Sequence, residues 1–324
     1  MKSGGSNRRG VALIVVLLMV SIIVALTVQF NRDTRSEILD AANVSDGIRL
    51  RYIAESGFQA GEAILLADRT EFDGLTEPWA NTDMLALKSE EFFDGGSFKL
   101  AIQDEGGKIP INRLVNGKDY NPLIRDALTR LLTGPSFRLD QRRAEDLRDA
   151  IKDWIDADDE VTGGGAEKGY YAELTRPYAA KNAPIDCIEE LLMIKGVTRE
   201  LFFGTGESPG LSGCISVFGD GRININTAPR PVLRALAAEM TADELEWLDQ
   251  YRRDVRNDLA ESGWHQKIPR ASGINILPAL VKINSEIFQI TAVGLHGRMT
   301  GRVTAVVERS KDRKKIKLLS WKVE

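Results

Sequence analysis

The sequence predicts an α+β fold in which a long N-terminal helix packs on a small antiparallel sheet, and a large, mostly helical domain is inserted into that sheet. Three observations lead to this prediction. An uncharged apolar run continues into helical periodicity, strand-like segments lie near residue 100 and at the C-terminus, and helix-like segments fill the chain between them. The 324 residues, 43% of them hydrophobic, can form a substantial core and about two domains.

The N-terminal helix begins with a segment that is long enough to cross a membrane. Val11 to Phe30 carries no charge, and a helix of this length spans roughly 30 Å, the thickness of the hydrocarbon layer. Lys2, Arg8 and Arg9 precede the run, while the charges directly after it are balanced, so the positive-inside rule predicts a cytoplasmic N-terminus and an exported remainder. A buried core helix and a cleaved secretory signal are the alternatives.

Helical periodicity continues beyond the apolar run. Apolar residues recur at helical spacing from Ile38 to Ile64, and proline is absent before Pro78. Gly47, Gly57 and Gly61 weaken this part, each by about 1 kcal/mol relative to alanine. We therefore expect one long helix, with two helices joined near residues 31–35 as the alternative.

Strand-like segments lie on both sides of the helix-patterned region. Ser97 to Gln103 and Lys108 to Asn112, joined by an Asp-Glu-Gly-Gly turn, are typical of a hairpin. Three alternating segments close the chain, Ile287 to Val293, Arg302 to Glu308 and Lys315 to Val323. An antiparallel sheet tolerates an insertion between such strands because loop-closure entropy grows slowly with length. The predicted helices of the insertion are Asn121 to Leu132, Arg142 to Ile155, Ile188 to Ile194, Pro231 to Met240 and Ala242 to Arg256.

Composition argues against several classes of function. A net charge of −4 gives no global attraction to nucleic acid, and two cysteines with two histidines supply too few ligands for a Cys-rich zinc module or an iron–sulfur cluster. Leu191 to Val197 and Ile223 to Ala228 resemble parts of helix–hairpin–helix DNA-binding modules, but the hairpin glycines are incomplete. We expect neither nucleic-acid binding nor enzymatic activity.

The strongest candidate site is an acidic loop after Ile155. Clustered carboxylates repel one another unless a cation neutralises them, and oxygen ligands favour a hard ion such as calcium. Acidic residues counted from Asp156 occupy positions one, three, five and twelve as in an EF-hand, but Val161 stands where the EF-hand needs glycine. A solvated acidic loop is the alternative. The acidic residues are Asp153, Asp156, Asp158, Asp159, Glu160 and Glu167.

Cys187 and Cys214 lie in the predicted exported part of the chain. An oxidising periplasm favours a disulfide between them, which would add about 3 to 4 kcal/mol of stability in the chain-entropy model. Two buried free thiols are the alternative.

The N-terminal segment resembles the class III signal of type IV pilins and pseudopilins, since Gly10 separates a short basic leader from the apolar run. In that family a prepilin peptidase cuts after this glycine, so the resemblance implies cleavage between Gly10 and Val11 and the methylation of Val11 that can follow it. Most pilin-like proteins carry glutamate at the fifth position after the cleavage site, where this chain has Val15. The missing glutamate and the large size resemble the K-type minor pseudopilins of the type II secretion system.

Motifs around the acidic loop resemble the same family. They are Asp153-Trp154-Ile155-Asp156-x-Asp158, Gly165-Ala166-Glu167, Tyr170-Tyr171, Asn182-Ala183-Pro184 and Glu190-Leu191. The inserted domain of the family is regarded as sterile-alpha-motif-like and binds calcium beside this segment. The resemblance therefore implies a structural calcium site, whose candidate ligands are first Asp156, Asp158 and Glu167, then Asp153 and Asp159, and after them Asp186 and Glu160.

The resemblance also implies a domain organisation and a function. The expected limits are a leader at 1–10, a transmembrane part at 11–30, a periplasmic helix and first strands of a pilin-like domain at 31–112, the inserted domain at 113–283, and C-terminal strands at 284–324. The protein would be a single-pass inner-membrane protein with most of its chain in the periplasm. It would lie at the pseudopilus tip with the I- and J-type minor pseudopilins, above the major pseudopilin fibre.

There it would initiate or cap the fibre and so help the inner-membrane secretion platform to export folded proteins across the outer membrane. Prepilin peptidase would be a further partner. A minor pilin of a type IV pilus or of a DNA-uptake pseudopilus is the alternative function.

Overall fold

A single helix of 60 residues, α1 (Arg8–Ala67), opens the part of the chain that the computed structural model describes, residues 8–206 and 208–324. It is uninterrupted, so the predicted long helix is confirmed and the alternative with a hinge is wrong. A window of 18 residues within Gly10–Ala67 has a mean hydropathy of 3.2, and none of it is buried among the described residues. The helix is therefore long and apolar enough to cross a membrane. Residues 1–7 of the predicted leader lie outside the described residues.

The second half of α1 packs on a four-stranded antiparallel sheet, whose strands in spatial order are β1 (Gly96–Asp104), β10 (Ile287–His296), β11 (Met299–Arg309) and β12 (Ile316–Val323). Burial alternates along β1 and β10, as expected for strands with one face on a core. From Leu50 onwards α1 contributes buried residues to this core, among them Ile53 and Leu65. The three predicted C-terminal strands are confirmed.

The predicted hairpin between Ser97–Gln103 and Lys108–Asn112 is wrong. The strand β1 pairs with β10, whereas β2 (Ile109–Pro110) pairs in parallel with β7 (Ile215–Ser216). The Asp-Glu-Gly-Gly segment forms a short 3-10 helix capped by Asp104, whose carboxylate accepts a hydrogen bond from Gly106 N at 2.6 Å. That carboxylate also binds side chains of the insertion, so the turn directs the chain out of the sheet.

The insertion has a hydrophobic core of its own, which extends from Ile109 to Val281. The limits of the insertion at residues 113 and 283 stay a prediction. The predicted segment Ile188 to Ile194 is a 3-10 helix (Ile188–Met193), and the helix predicted from Pro231 ends at Ala235. The helices after α1 are α2 (Asp83–Lys88), α3 (Pro122–Thr133), α4 (Gln141–Ile155), α5 (Lys168–Ala172), α6 (Arg199–Phe203), α7 (Arg230–Ala235) and α8 (Ala242–Arg253). The remaining short strands are β3 (Val115–Asn116), β4 (Asp119–Tyr120), β5 (Gly204–Thr205), β6 (Ser208–Pro209), β8 (Ile223–Asn224) and β9 (Val281–Lys282).

The insertion joins the sheet at the end that lies opposite the apolar segment of α1. Asp104 at the end of β1 faces Phe288 at the start of β10. The last residue of β11, Arg309, binds Asp68 Oδ2 at 2.8 Å, just after the C-terminal end of α1. The other end of β10 carries His296, which lies 3.3 Å from Arg49 on the membrane side of α1. Helix α1, called the stem below, thus runs from the apolar segment towards the insertion.

A buried polar network fixes this junction. Asn224 of the insertion donates from Nδ2 to Asp104 Oδ2 at 2.9 Å and to the Asp73 carbonyl at 3.1 Å. Ser285 donates its backbone N–H to Asp73 Oδ2 at 2.7 Å and its hydroxyl to Asp104 Oδ2 at 2.6 Å. Arg309 completes the network through Nη2, which lies 2.5 Å from Asp73 Oδ1. Segments from the sheet and from the insertion therefore share one hydrogen-bonded cluster.

Gly294 allows α1 to approach the sheet, and its replacement by alanine is expected to be costly. A Cβ atom at Gly294 would lie 2.6 Å from the Leu50 carbonyl oxygen and 3.1 Å from Ala54 N, which are backbone atoms that cannot rotate away. We expect Gly294→Ala to destabilise the fold by about 1 to 3 kcal/mol. Gly301, paired with Gly294 on the next strand, is the matched control because its Cβ would meet only Leu50, at 3.5 Å. Chemical denaturation of both variants in detergent tests this prediction, and equal losses would contradict it.

Candidate metal centre

Helix α4 and the loop after it position the acidic residues. Asp140 caps the helix, since its Oδ1 accepts a hydrogen bond from Arg143 N at 2.9 Å. Leu147, Ile151 and Trp154 bury one face of the helix in the core of the insertion. The helix ends at Ile155, and the acidic loop leads to α5, with carboxylate oxygens at the two ends of the loop, on Asp156 and Glu167, within 4.8 Å of each other.

Three carboxylates meet at this point. Asp156 is the C-terminal cap of α4, Asp158 lies two residues further on, and Glu167 is the N-terminal cap of α5. One oxygen from each of the three lies within 4.8 Å of the others. These are the three residues ranked first from the sequence.

Two of these carboxylates are buried with unsatisfied oxygens. Glu167 is 3% exposed, and neither Oε1 nor Oε2 has a hydrogen-bond partner among the described residues. Asp156 is 2% exposed, and its Oδ1 likewise has no partner within the described part of the chain. Buried carboxylate oxygens are costly unless they are paired or bind a cation. These orphaned oxygens fit a hard, oxygen-preferring cation such as calcium.

Electrostatics at the cluster agree with this interpretation. Burial, together with repulsion from Asp153 and Asp156, raises the pKa of Glu167 to about 7. At Asp158 the pKa is lowered instead, because its carboxylate accepts the Glu160 backbone N–H and lies 3.2 Å from the Lys118 ammonium. The site therefore combines Glu167, whose ionised form is disfavoured by burial and by its neighbours, with Asp158, which is stabilised as an anion.

The lower-ranked candidates have other partners. Asp153 is fully buried beside the cluster, and both of its carboxylate oxygens accept the Thr162 backbone N–H at 3.1 Å. Asp159 is exposed and accepts a hydrogen bond from Asn182 Nδ2 at 3.1 Å. Asp186 is exposed and pairs with Lys181 at 2.6 Å, and Glu160 is exposed. The structure thus brings Asp156, Asp158 and Glu167 together, with Asp153 adjacent to them.

The Gly163-Gly164-Gly165 run lies in close contact with α4. A Cβ atom at Gly164 would lie 1.8 Å from Asp146 Oδ1, and one at Gly165 would lie 2.1 Å from Asp153 Oδ2. Gly163 has a φ of 49°, in the left-handed region that favours glycine. The glycines therefore let the loop backbone lie directly against the acidic face of α4.

Several residues that hold the loop were not singled out as ligand supports from the sequence. Lys152 binds Asp156 and donates to Thr162 Oγ1 at 2.8 Å, and its i,i+4 spacing from Asp156 was a usable signal. Asn182 donates from Nδ2 to the Asp158 carbonyl at 2.6 Å. Tyr171 packs edge-on against Trp154 with ring centroids 5.2 Å apart, which explains the aromatic part of the motif in packing terms.

The structure does not contain the predicted disulfide. Cys187 is exposed and Cys214 is buried, and both thiols are free. Burial raises the pKa of the Cys214 thiol to about 12, as expected for a small apolar side chain inside the core of the insertion. Only Cys214 matches the alternative of two buried free thiols.

A second group of carboxylates, Asp68, Asp73 and Glu77, is an ion-pair cluster. Asp68 and Asp73 both bind Arg309, at 2.8 Å and 2.5 Å. Glu77 accepts hydrogen bonds from Gly74 N at 2.7 Å and from Trp79 Nε1 at 2.9 Å. Because these carboxylates are already neutralised or hydrogen-bonded, they do not resemble the cluster at the acidic loop.

Glu167 is expected to make the stability of the protein in chelator depend on pH. Its pKa is raised from 4.5 to about 7 in the folded state, so the folded state binds this proton more tightly than the unfolded state. Between pH 4.5 and 7 the contribution of Glu167 to stability therefore falls as the pH rises. We expect Glu167→Gln to reduce the loss of melting temperature between pH 5.5 and pH 8. An unchanged pH profile in this variant would contradict the assignment.

Comparisons with known proteins match this architecture. Residues 107–203 match the family model described as type II secretion system (T2SS), protein K. The chain is 26% identical to the type II secretion system protein K of Aeromonas hydrophila over 95% of both chains. It is 28% identical to the protein of the same name from Pseudomonas aeruginosa, over 71% of this chain and 68% of that protein.

A solved structure has the same fold. It is the crystal structure of the GspK–GspI–GspJ complex from the type 2 secretion system of enterotoxigenic Escherichia coli. The matching chain is 18% identical with a TM-score of 0.71, and the match covers 88% of this chain and 99% of that chain. The comparisons confirm the predicted resemblance to the K-type family and the predicted α+β fold.

Proposed function

We propose that this chain, a relative of type II secretion system protein K along nearly its whole length, is the minor pseudopilin at the tip of a secretion pseudopilus. The observation that carries the proposal is the position of the insertion. It leaves and rejoins the sheet at the end where α1 terminates, opposite the apolar segment. A bulky domain at that end would leave no equivalent stem surface on which another subunit could be added above this one.

The exposed apolar residues of α1 support stem-to-stem packing. Beyond the apolar run, Ile38, Val44, Ile48 and Tyr52 are all more than half exposed. Large exposed apolar surfaces of this kind mark interaction sites. In the related structure the K protein is in complex with GspI and GspJ. We propose that the corresponding I- and J-type minor pseudopilins cover this surface, with the major pseudopilin fibre below them.

The N-terminal segment supports processing and insertion as in pilins. Gly10 directly precedes the apolar run, and cleavage between Gly10 and Val11 by a prepilin peptidase would leave that run on the protein as an inner-membrane anchor. Val11 would then be the residue that is methylated. Val15 replaces the usual glutamate, so this subunit has no carboxylate that needs a partner ahead of it in the membrane. This property suits a first subunit, which works with the inner-membrane secretion platform to initiate export.

The acidic loop supports a structural calcium site. Asp156, Asp158 and Glu167 would hold the ion, with Asp153 beside them. The ion would neutralise carboxylates that repel one another and tie the glycine-rich loop to α4, so its binding free energy would add to the stability of the insertion. This role is structural and needs no reaction.

The test is complementation of a strain that lacks the K protein. The intact chain should restore secretion, whereas a chain in which residues 11–30 are replaced by a cleavable secretory signal should be exported and folded but fail to initiate pseudopili. Gold labelling of the insertion should mark one end of each fibre. Normal pseudopili with the exchanged segment, or labelling along the shaft, would refute the proposal.

A further inference from the structure

A buried lysine lies against the carboxylate cluster. The side chain of Lys152 is 8% exposed, and its Nζ binds Asp156 Oδ2, whose side chain is fully buried. The same ammonium group donates to Thr162 Oγ1 at 2.8 Å and lies 5.8 Å from the centre of the Tyr120 ring. The position of this charge is therefore fixed by three different segments of the insertion.

Lys152 occupies one carboxylate oxygen of Asp156 and leaves the other oxygen available to a cation. Lys152 engages Oδ2, while Oδ1 has no hydrogen-bond partner among the described residues. Asp156 can thus keep its ion pair with Lys152 and still offer an oxygen to a cation shared with Asp158 and Glu167. A second lysine, Lys118, reaches Asp158 Oδ2 from outside, and its side chain is 73% exposed.

We infer that Lys152 determines the charge selectivity of the metal centre, which it biases towards divalent over trivalent cations. The inference rests on the proposed calcium site. Asp156, Asp158 and Glu167 together carry three negative charges when ionised, and the buried ammonium of Lys152 reduces this to two, which matches a divalent ion. Asp153 and Asp159 add further negative charge near the cluster, which is the same in all of the variants compared below.

The physical argument is that Coulomb repulsion scales with the charge of the bound ion. A fixed buried ammonium opposes a trivalent ion one and a half times as strongly as a divalent ion at the same position. The exposed ammonium of Lys118 is screened by water, so its effect on selectivity is smaller. Lys152 is thus a specificity-determining residue that acts on the ion electrostatically, at a distance, while it is paired with Asp156.

The experiment compares calcium and terbium binding to the chelator-treated full chain in detergent micelles. Calcium is measured by calorimetry, and terbium by its sensitised luminescence. In Lys152→Gln, which keeps a hydrogen-bond donor and removes the charge, we expect about a tenfold gain in calcium affinity and about a thirtyfold gain for terbium, since the two effects follow the ionic charges. The preference for terbium over calcium therefore rises about threefold relative to the wild-type chain.

Lys152→Arg, which keeps the charge, should retain the wild-type selectivity, and Lys118→Gln should shift it less than Lys152→Gln. Lys152→Met serves as a second charge-free variant if Lys152→Gln does not fold. An equal gain for both ions, or an unchanged ratio in the charge-free variants, would overturn the inference while leaving the calcium site intact. A wild-type chain that binds neither ion would overturn both the site and the inference, without bearing on the proposed place of the subunit in the fibre.

Discussion

Glu167→Gln is expected to abolish high-affinity calcium binding and, in chelator, to raise the stability of the protein. The substitution preserves the shape of a side chain that is 3% exposed and removes its charge. Loss of an outer-shell partner alone typically costs roughly 10- to 100-fold in metal affinity, and a direct ligand should cost more. In chelator, the same change removes repulsion from Asp153 and Asp156, which raises the pKa of Glu167 in the wild-type chain.

These opposite effects distinguish a metal ligand from a residue that merely packs. A ligand whose free concentration is 100 times its dissociation constant stabilises the folded state by about 2.7 kcal/mol. The wild-type chain should gain this increment on adding calcium, and Glu167→Gln should not. Calorimetric titration and thermal melts of the full chain in detergent, with and without calcium, measure both effects.

Asp159→Asn is the matched control. Asp159 lies on the same loop, but it is exposed and its carboxylate accepts a hydrogen bond from Asn182. This variant should bind calcium nearly as the wild-type chain does. If Glu167→Gln and Asp159→Asn titrate alike, the acidic loop is a solvated surface and the proposed site is wrong.

Local sequence patterns were sufficient to identify the stem and the carboxylates of the candidate site. The apolar run and the helical periodicity after it act along one helix, so they require no knowledge of the rest of the fold. Asp156, Asp158 and Glu167 were ranked first because the motifs around them resemble those of the K-type family. Clustering then follows from geometry, since the helix before the loop and the helix after it are held in one core.

Contacts between segments that lie far apart in the chain were not predicted from the sequence. Ser97 to Gln103 was assigned a partner directly after its turn, but β1 pairs with β10, which follows the whole insertion. The role of Gly164 depends on contact with Asp146, and that of Lys152 on a loop oxygen of Thr162. Such contacts arise only when separate segments pack together, so spacing along the chain carries little information about them.

Arg309→Met is expected to destabilise the protein by roughly 3 to 5 kcal/mol, because it leaves buried carboxylates without their counter-charge. The guanidinium group binds Asp68 Oδ2 at 2.8 Å and Asp73 Oδ1 at 2.5 Å, and it lies 4.7 Å from the centre of the Phe288 ring. It also donates to the Ser285 carbonyl at 3.0 Å. Methionine can replace the contact with the ring but none of these polar partners.

The control is Arg256→Met, whose partner Asp254 lies on the surface and whose own side chain is 85% exposed. Surface pairs of this kind contribute about 0 to 1 kcal/mol. Denaturant titrations of both variants in detergent test the difference, and Asp73→Asn in the Arg309→Met background should recover part of the loss. Similar losses in the two arginine variants would contradict the prediction.

The same experiment tests how the stem and the insertion are coupled. Asp73 binds Arg309 on the sheet side and also accepts the Ser285 backbone N–H, while its carbonyl accepts from Asn224 of the insertion. Loss of Arg309 should therefore weaken the junction as well as the sheet. In the wild-type chain the sheet and the insertion should unfold in one transition, and Arg309→Met should separate the unfolding of the insertion from that of the sheet. The proposed place at the tip requires this coupling, because assembly energy applied to α1 would reach the insertion across this junction.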